Sequence, residues 1–271
     1  MLELPISFNI GSISSVASDK DDNIYIFHRG NKKWNKKYPE STELIKEPAI
    51  LKYSKEGKLI DSFGANMFLM PHMITVDQNK NIWAVDVWLQ QVIKLDKKGK
   101  ILLTLGELFK PGPDSLHFDL PTDVVIASDK SFFVGDGYGN SRICNFTARG
   151  KWNYSWGKKG TEPGEFHIPH SIAIHKEKLF VADRENSRLQ VFDLQGNFLS
   201  QWDGKLIAGR LFALAVDNKG RIYVTGANGT FILSEKFEVL ESWSEKGHDI
   251  AVDSQGTIYL SGAGAFKRIS K

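Results

Sequence analysis

The stretch Ile74-Thr75-Val76-Asp77-Gln78-Asn79-Lys80-Asn81-Ile82-Trp83-Ala84-Val85-Asp86 decides the fold, because its pattern recurs along the chain. It reads as an apolar segment, a short polar turn and a second apolar segment centred on Trp83. Asp, Asn and Lys in the turn are residues that favour the tight geometry joining two strands. The stretch therefore predicts a β-hairpin.

Hairpins of this kind recur six times, at residues 16–28, 74–86, 124–136, 172–183, 214–226 and 250–262. A second pattern follows each hairpin, as in residues 91–106 and 188–202: apolar and polar residues alternate on both sides of a central glycine. This pattern indicates two more strands per unit. Four strands in each of six units predict an all-β fold, a six-bladed β-propeller over residues 1–271 as a single domain. The repeat resembles the NHL family. The sixth unit has three strands, and we expect an N-terminal strand over residues 4–10 to supply its fourth.

The composition of the chain limits the kinds of binding partner that we expect. The 271 residues are 41% hydrophobic and carry a formal net charge of +3, which predicts neither a nucleic-acid nor a membrane partner. We expect a monomer. Cys144 is the one cysteine, so no intramolecular disulfide can form, and the N-terminus lacks signal-peptide features. Both points favour the cytoplasm, and a secreted protein that has lost its signal stays open. The basic run at residues 31–37 is interpreted as a solvated loop.

Three histidines share one position in the repeat. His72, His170 and His248 lie just before the predicted first strands of units two, four and six. The matching positions in units one, three and five are Ser14, Thr122 and Phe212. Alternate blades of a six-fold ring are about 120° apart, so the three imidazoles should converge on the central channel. Three imidazoles with a fourth position open form the ligand set of a catalytic zinc site.

A second shared position lies at the end of the second strand. It holds Asp86, Asp136 and Asp183, which we expect to tie the backbone of the neighbouring loops. Arg29 and Arg184 follow at the same place in units one and four. An arginine in a channel mouth can clamp a carboxylate through its planar fork of donors, and a salt bridge between blades is the alternative.

Together these residues resemble the peptidyl-α-hydroxyglycine α-amidating lyases. The resemblance spans nearly the whole chain, and its motifs are residues 26–30, 69–72, 86 with 91–95, 116–118 with 121–124, 136–142, 168–171, 181–186 and 248–249. It implies zinc on the three histidines. It further implies a catalytic Tyr138 acting as general base, flanked by Arg29 and Arg184, and a structural calcium ion held by the Asp249 side chain and the backbone carbonyls of Val16 and Ile74.

The implied reaction cleaves the C–N bond of a carbinolamide, a peptide or small molecule with an α-hydroxyglycine-like end, to an amide and glyoxylate. It needs no organic cofactor. Two cysteine pairs of the animal members are replaced here by Asp119 with Gly139 and by Phe180 with Val191, and a Met-Pro pair before the third histidine is replaced by Lys246-Gly247. A non-catalytic NHL propeller that binds a protein or RNA is the alternative. A calcium-dependent lactonase is a third, although such sites need oxygen ligands.

Overall fold

The computed structural model describes residues 9–34, 39, 41–262 and 265–269. In these ranges the chain forms six antiparallel sheets and no helix. The first three sheets contain Ile13–Ser18 (β1), Ile24–His28 (β2), Ile50–Tyr53 (β3) and Leu59–Phe63 (β4); Pro71–Val76 (β5), Ile82–Asp86 (β6), Gln91–Leu95 (β7) and Ile101–Leu105 (β8); Asp123–Ile126 (β9), Phe132–Asp136 (β10), Arg142–Phe146 (β11) and Trp152–Trp156 (β12).

The remaining three sheets contain Pro169–His175 (β13), Lys178–Asp183 (β14), Arg188–Asp193 (β15) and Phe198–Asp203 (β16); Leu211–Val216 (β17), Ile222–Gly226 (β18), Gly229–Leu233 (β19) and Val239–Trp243 (β20); Asp249–Val252 (β21), Ile258–Gly262 (β22) and Ala265–Ile269 (β23). Each sheet follows chain order from its first strand outward. None of the described residues forms a helix with the length and apolar character needed to cross a bilayer.

An aspartate in the turn of the inner hairpin explains the repeated pattern. Asp77 accepts hydrogen bonds from the backbone N–H of Asn79 and Asn81 at 2.9 Å, and from the indole N–H of Trp83 at 3.2 Å. The equivalent aromatic hydroxyls, each six residues after its aspartate, belong to the pairs Tyr25 with Asp19, Tyr223 with Asp217 and Tyr259 with Asp253. The aspartate therefore closes the turn and also satisfies the polar end of a buried aromatic ring.

The first strands of the sheets form a closed ring. Strand β1 contacts β5, each first strand contacts the next around the ring, and β21 returns to β1. Six apolar clusters fill the spaces between neighbouring sheets; Phe27 with Ile82 lies in the first, and Val16 with Tyr259 closes the ring. The predicted six-bladed propeller is confirmed. The described part of the sixth sheet has three strands, and residues 4–8 of the expected closing strand lie outside the described residues.

Candidate metal centre and active site

Three histidines converge at one end of the channel. The ring centroids of His72 and His170 are 4.8 Å apart, and each lies 5.0 Å from the ring of His248. One nitrogen of each ring lies within 4.8 Å of the others. His72 and His170 were expected before their strands but are the second residues of β5 and β13, while His248 directly precedes β21. The predicted convergence is confirmed.

Backbone carbonyls of the intervening blades orient these rings. The Nδ1 atoms of His72, His170 and His248 lie 2.6, 2.5 and 2.7 Å from the carbonyl oxygens of Thr122, Phe212 and Ser14, respectively. A carbonyl oxygen only accepts, so each Nδ1 carries the proton and each Nε2 keeps its lone pair. These are the same three positions that match the histidines in the other blades. Their role could not be read from the sequence, because a carbonyl is independent of residue type.

Burial keeps the cluster uncharged. Burial lowers the pKa of His72 and His170 well below the usual value, and it lowers the pKa of His248 to about 3. The charge of Arg184 lowers all three pKa values further, and that of Arg29 lowers the pKa values of His72 and His248. Three neutral imidazoles with oriented Nε2 lone pairs, each supported by a hydrogen bond at Nδ1, are a donor set that fits Zn²⁺.

Tyr138 lies against two of the histidines. Its hydroxyl is 2.9 Å from Nε2 of His72 and 3.0 Å from Nε2 of His170. Nη1 of Arg184 donates to the same hydroxyl at 3.4 Å. Burial raises the pKa of Tyr138, and this effect outweighs the opposite effect of Arg184 and Arg29. Burial therefore favours the neutral phenol, whose O–H can donate to one of the two imidazoles.

The loop that carries Tyr138 is fixed by close backbone approach. A Cβ atom on Gly137 would lie 2.4 Å from the carbonyl oxygen of Pro169, so only glycine allows this contact with the strand of His170. On the other side, a Cβ atom on Gly139 would lie 2.0 Å from Cγ of Asp119. Asp119 and Gly139 are therefore sterically matched at the position where the animal lyases are expected to carry a cysteine pair.

The two predicted arginines reach the same mouth from different blades. Arg29 donates through Nε to the carbonyl of Pro71 at 2.9 Å. Nε of Arg184 donates to Glu185 at 2.9 Å, and its guanidinium lies 5.2 Å from the Tyr138 ring. The structure brings both arginines to Tyr138, and their role as a carboxylate clamp stays a prediction.

The shared aspartates hold the segments that lead into the site. Asp86 accepts from the backbone N–H of Leu69 and Met70 at 2.7 and 2.8 Å, just before His72. Asp136 accepts from the N–H of Asp119 at 2.8 Å, and Asp183 from that of His167 at 2.7 Å. The predicted structural role of these aspartates is confirmed.

The loop before His248 is held differently. The backbone N–H of Gly247 donates to the Thr225 hydroxyl of the fifth blade at 2.9 Å, whereas the shared position in the sixth blade is Gly262, which offers no carboxylate. A Cβ atom on Gly247 would lie 2.8 Å from the carbonyl of Asp249 and 2.9 Å from that of Ser261. Gly247 is thus required by packing, which gives a structural reason for one of the two replacements near this histidine.

Two acidic residues, Asp123 after Thr122 and Asp249 after His248, line a cavity in the channel. The cavity measures about 210 Å³, and Val16, Ile74, Asp123 and Asp249 are among its lining residues. Burial raises the pKa of Asp249 to about 6 and, together with the charge of Asp249, that of Asp123 to about 8. The expected calcium residues Asp249, Val16 and Ile74 are therefore brought together. Asp123 was missed, although it follows Thr122 as Asp249 follows His248.

One residue of the basic run was misinterpreted as part of a solvated loop. The ring of Trp34 stacks on Trp88 with centroids 5.9 Å apart, and it lies 5.2 Å from the ring of Tyr138. The guanidinium of Arg29 lies 5.8 Å from the same indole. A tryptophan among four lysines was the signal that could have marked this position, since an indole gains free energy from packing.

Comparisons with known proteins agree with this fold. The profile of a family described as "6-bladed beta-propeller" matches residues 114–240. A probable peptidyl-α-hydroxyglycine α-amidating lyase of Caenorhabditis elegans is 38% identical over 229 residues, which cover 80% of this chain and 64% of that protein. Peptidyl-α-hydroxyglycine α-amidating lyase 1 of Drosophila melanogaster is 36% identical over 253 residues, which cover 83% of this chain and 44% of that protein. The chain thus spans less than two thirds of either relative.

Among solved structures, a gluconolactonase from Xanthomonas campestris superimposes with a TM-score of 0.70 over 96% of this chain and 86% of that one. At 11% identity this similarity shows the fold alone. Fold and site define a six-bladed β-propeller with a cluster of three histidines, two of them buried, beside a tyrosine and two arginines. Within that class, the chain is a homologue of the peptidyl-α-hydroxyglycine α-amidating lyases.

Proposed function

We propose that this protein is a zinc-dependent lyase that cleaves the C–N bond of a peptidyl-α-hydroxyglycine, releasing a peptide amide and glyoxylate. One observation carries the proposal: three neutral imidazoles meet at a point where the hydroxyl of Tyr138 lies within 3.0 Å of two of them. The names of the homologues supply the substrate class.

Nε2 of His72, His170 and His248 would hold the zinc ion. Their Nδ1–H groups are already engaged by backbone carbonyls, so the rings are oriented for this task before any ion binds. A bound zinc ion supplies positive charge that makes a neighbouring hydroxyl group more acidic.

Arg29 and Arg184 bind the carboxylate of the substrate. Each guanidinium has one Nε fixed by a protein acceptor, which directs the remaining donors and reduces the entropy lost on binding. Since the carboxylate and the hydroxyl are attached to the same carbon, holding the carboxylate here places the hydroxyl beside Tyr138. The same guanidinium groups stabilise negative charge that develops during bond cleavage.

Tyr138 moves the proton. The balanced reaction transfers the hydroxyl proton to the amide nitrogen, forms the C=O bond of glyoxylate and breaks the C–N bond, whose electron pair leaves with nitrogen. It consumes neither water nor an oxidant. As a tyrosinate, Tyr138 takes the hydroxyl proton and can return it to the nitrogen. Burial alone disfavours this anion, so its formation depends on Arg184, Arg29 and a further positive charge in the site.

We also propose that a structural calcium ion binds in the channel cavity, through the Asp249 carboxylate and the carbonyls of Val16 and Ile74. Support comes from two buried carboxyl groups, Asp123 and Asp249, on a cavity that no lysine or arginine of the described residues lines. Burial raises the pKa of both groups, so charging them has a cost that a cation in the cavity would offset, and oxygen donors suit calcium.

A glyoxylate-release assay on the purified protein tests the catalytic proposal. The substrates are N-acetyl-dipeptides that end in α-hydroxyglycine, assayed after dialysis against zinc and against a chelator. We expect glyoxylate and the peptide amide in equal amounts from the zinc-loaded protein alone. A zinc-loaded protein that releases glyoxylate from none of these compounds would refute the proposal.

A further inference from the structure

The wall of the mouth next to Tyr138 is aromatic. Trp88 is buried, and Trp34 stacks over it while also lying against the Tyr138 ring. Trp34 keeps 37% of its surface exposed, so part of the indole faces solvent directly beside the reacting group. An exposed indole held between a buried aromatic ring and an arginine is a preorganised stacking surface.

A cavity opens on the same side. It measures about 530 Å³, within the range of small-molecule pockets, and Arg29, Gly30 and Trp34 line it together with Lys32 and Lys33. Arg29 therefore belongs both to the expected carboxylate clamp and to this cavity. A substrate whose carboxylate is bound by Arg29 has its remaining atoms within reach of Trp34.

The chemistry of the substrate decides which atoms these are. The α-carbon of hydroxyglycine carries the carboxylate, the hydroxyl and the amide nitrogen. With the carboxylate on the arginines and the hydroxyl at Tyr138, the nitrogen and the preceding residue must leave the site through the mouth. The first side chain met along that path belongs to the residue before the hydroxyglycine.

We propose that this preceding side chain binds against Trp34, and that the subsite selects an aromatic side chain there. The inference rests on the proposed function. Two interactions compete for this side chain: an aromatic ring could stack on the indole, and an acidic group could be attracted to Lys32 and Lys33. We expect the stacking to be the stronger of the two. Lys33 is exposed to solvent, where screening leaves ion pairs weak. An aromatic ring stacked on Trp34 gains free energy from the apolar area it buries and from the favourable arrangement of the two rings.

The test compares N-acetyl-Phe-α-hydroxyglycine with N-acetyl-Ala-α-hydroxyglycine by glyoxylate release. We expect the wild-type kcat/KM to favour the Phe compound by about tenfold. Trp34→Ala should bring that ratio close to one, and Trp34→Phe should keep most of it. The ratio cancels any effect of Trp34 on Arg29 or on folding, because both substrates share it.

Phe198→Ala is the matched control, since Phe198 is also 37% exposed but lies on the outer strand β16. It should keep the wild-type ratio. A wild-type ratio near one, a ratio unchanged in Trp34→Ala, or a preference for N-acetyl-Glu-α-hydroxyglycine over the Phe compound would overturn the proposal.

Calorimetric binding of the unreactive N-acetyl-Phe-Gly and N-acetyl-Ala-Gly separates this proposal from the function on which it rests. Tighter binding of the Phe compound by wild type, lost in Trp34→Ala, supports the subsite even if no glyoxylate is released. Equal binding of the two compounds contradicts it. Absence of glyoxylate release alone counts against the lyase function only.

Discussion

The channel carries two sets of polar side chains that follow different symmetries. His72, His170 and His248 come from alternate blades, and each is held by a carbonyl of a blade between them. Asp123 and Asp249, one residue further along the chain, come from blades three apart. The first set offers neutral nitrogen lone pairs, and the second offers buried carboxylate oxygens.

The two carboxylates sit in matching surroundings. Asp249 accepts from the Ser15 hydroxyl and, at 3.0 Å, from the backbone N–H of Val16, while Asp123 accepts from the N–H of Ile172 at 2.8 Å. Ser15 in turn accepts from the next blade, as Ser171 does on the opposite side. A repeated scaffold thus provides equivalent positions, and the residue type at each position determines whether it offers nitrogen or oxygen donors to the channel.

The largest effect on activity is expected when one of the three clustered histidines is removed. His170→Ala should reduce glyoxylate release by about a thousandfold or more, because two imidazoles bind zinc far less tightly than three. His175→Ala, at the far end of the same strand, should leave the rate close to that of wild type. Equal rates in His170→Ala and wild type would remove this histidine from the mechanism.

Tyr138→Phe should leave zinc bound and lower kcat by about 10²- to 10⁴-fold, the usual contribution of a positioned acid or base. Zinc content and kcat are measured on the same sample. Tyr154→Phe is the control, since Tyr154 donates to the carbonyl of Leu194 on the outer side of the blade. Unchanged turnover in Tyr138→Phe would show that the proton moves by another route.

Arg184→Lys should raise KM by about tenfold, because lysine cannot reproduce the planar fork of donors beside Tyr138. Steady-state kinetics with increasing substrate measure the change. Arg210 contacts the same Glu185 from an exposed position, and Arg210→Lys should change KM little. An equal rise in both variants would point to general electrostatic attraction instead of a clamp.

The carboxylate set should affect stability more than chemistry. We expect calcium at about 100 times its Kd to raise Tm by roughly 5–10 °C in metal-stripped protein. Asp249→Asn should abolish this shift, while Asp253→Asn, which weakens a turn and its hydrogen bond to Tyr259 away from the cavity, should lower Tm and retain the shift. The Tm of metal-stripped protein is also measured with zinc alone. A rise in Tm caused by zinc but not by calcium would contradict the calcium site.

The fold could be predicted from the sequence because the hairpins of each blade are stabilised by particular side chains, which recur visibly along the chain. The turn aspartate and the aromatic residue six positions later recur, and their hydrogen bond forces that spacing. The histidines were found for a similar reason, since a rare residue type recurs at one position of alternate repeats.

Other parts of the site left weaker signals. The carbonyls of Ser14, Thr122 and Phe212 orient the histidines, yet any residue type could supply them. Trp34 lies in a basic run whose charge suggested solvation, and its partner Trp88 is distant in sequence. Such pairs depend on how the loops return to the channel mouth, which local patterns do not specify.

The measurement that tests the central claim most directly is the zinc content of the purified protein. It is determined by mass spectrometry beside the variant His72→Ala/His170→Ala/His248→Ala, with circular dichroism to confirm that both are folded. The account predicts one zinc ion per chain in wild type and none in the triple variant. Equal zinc in both proteins, or none in a wild-type protein dialysed against zinc, would contradict it.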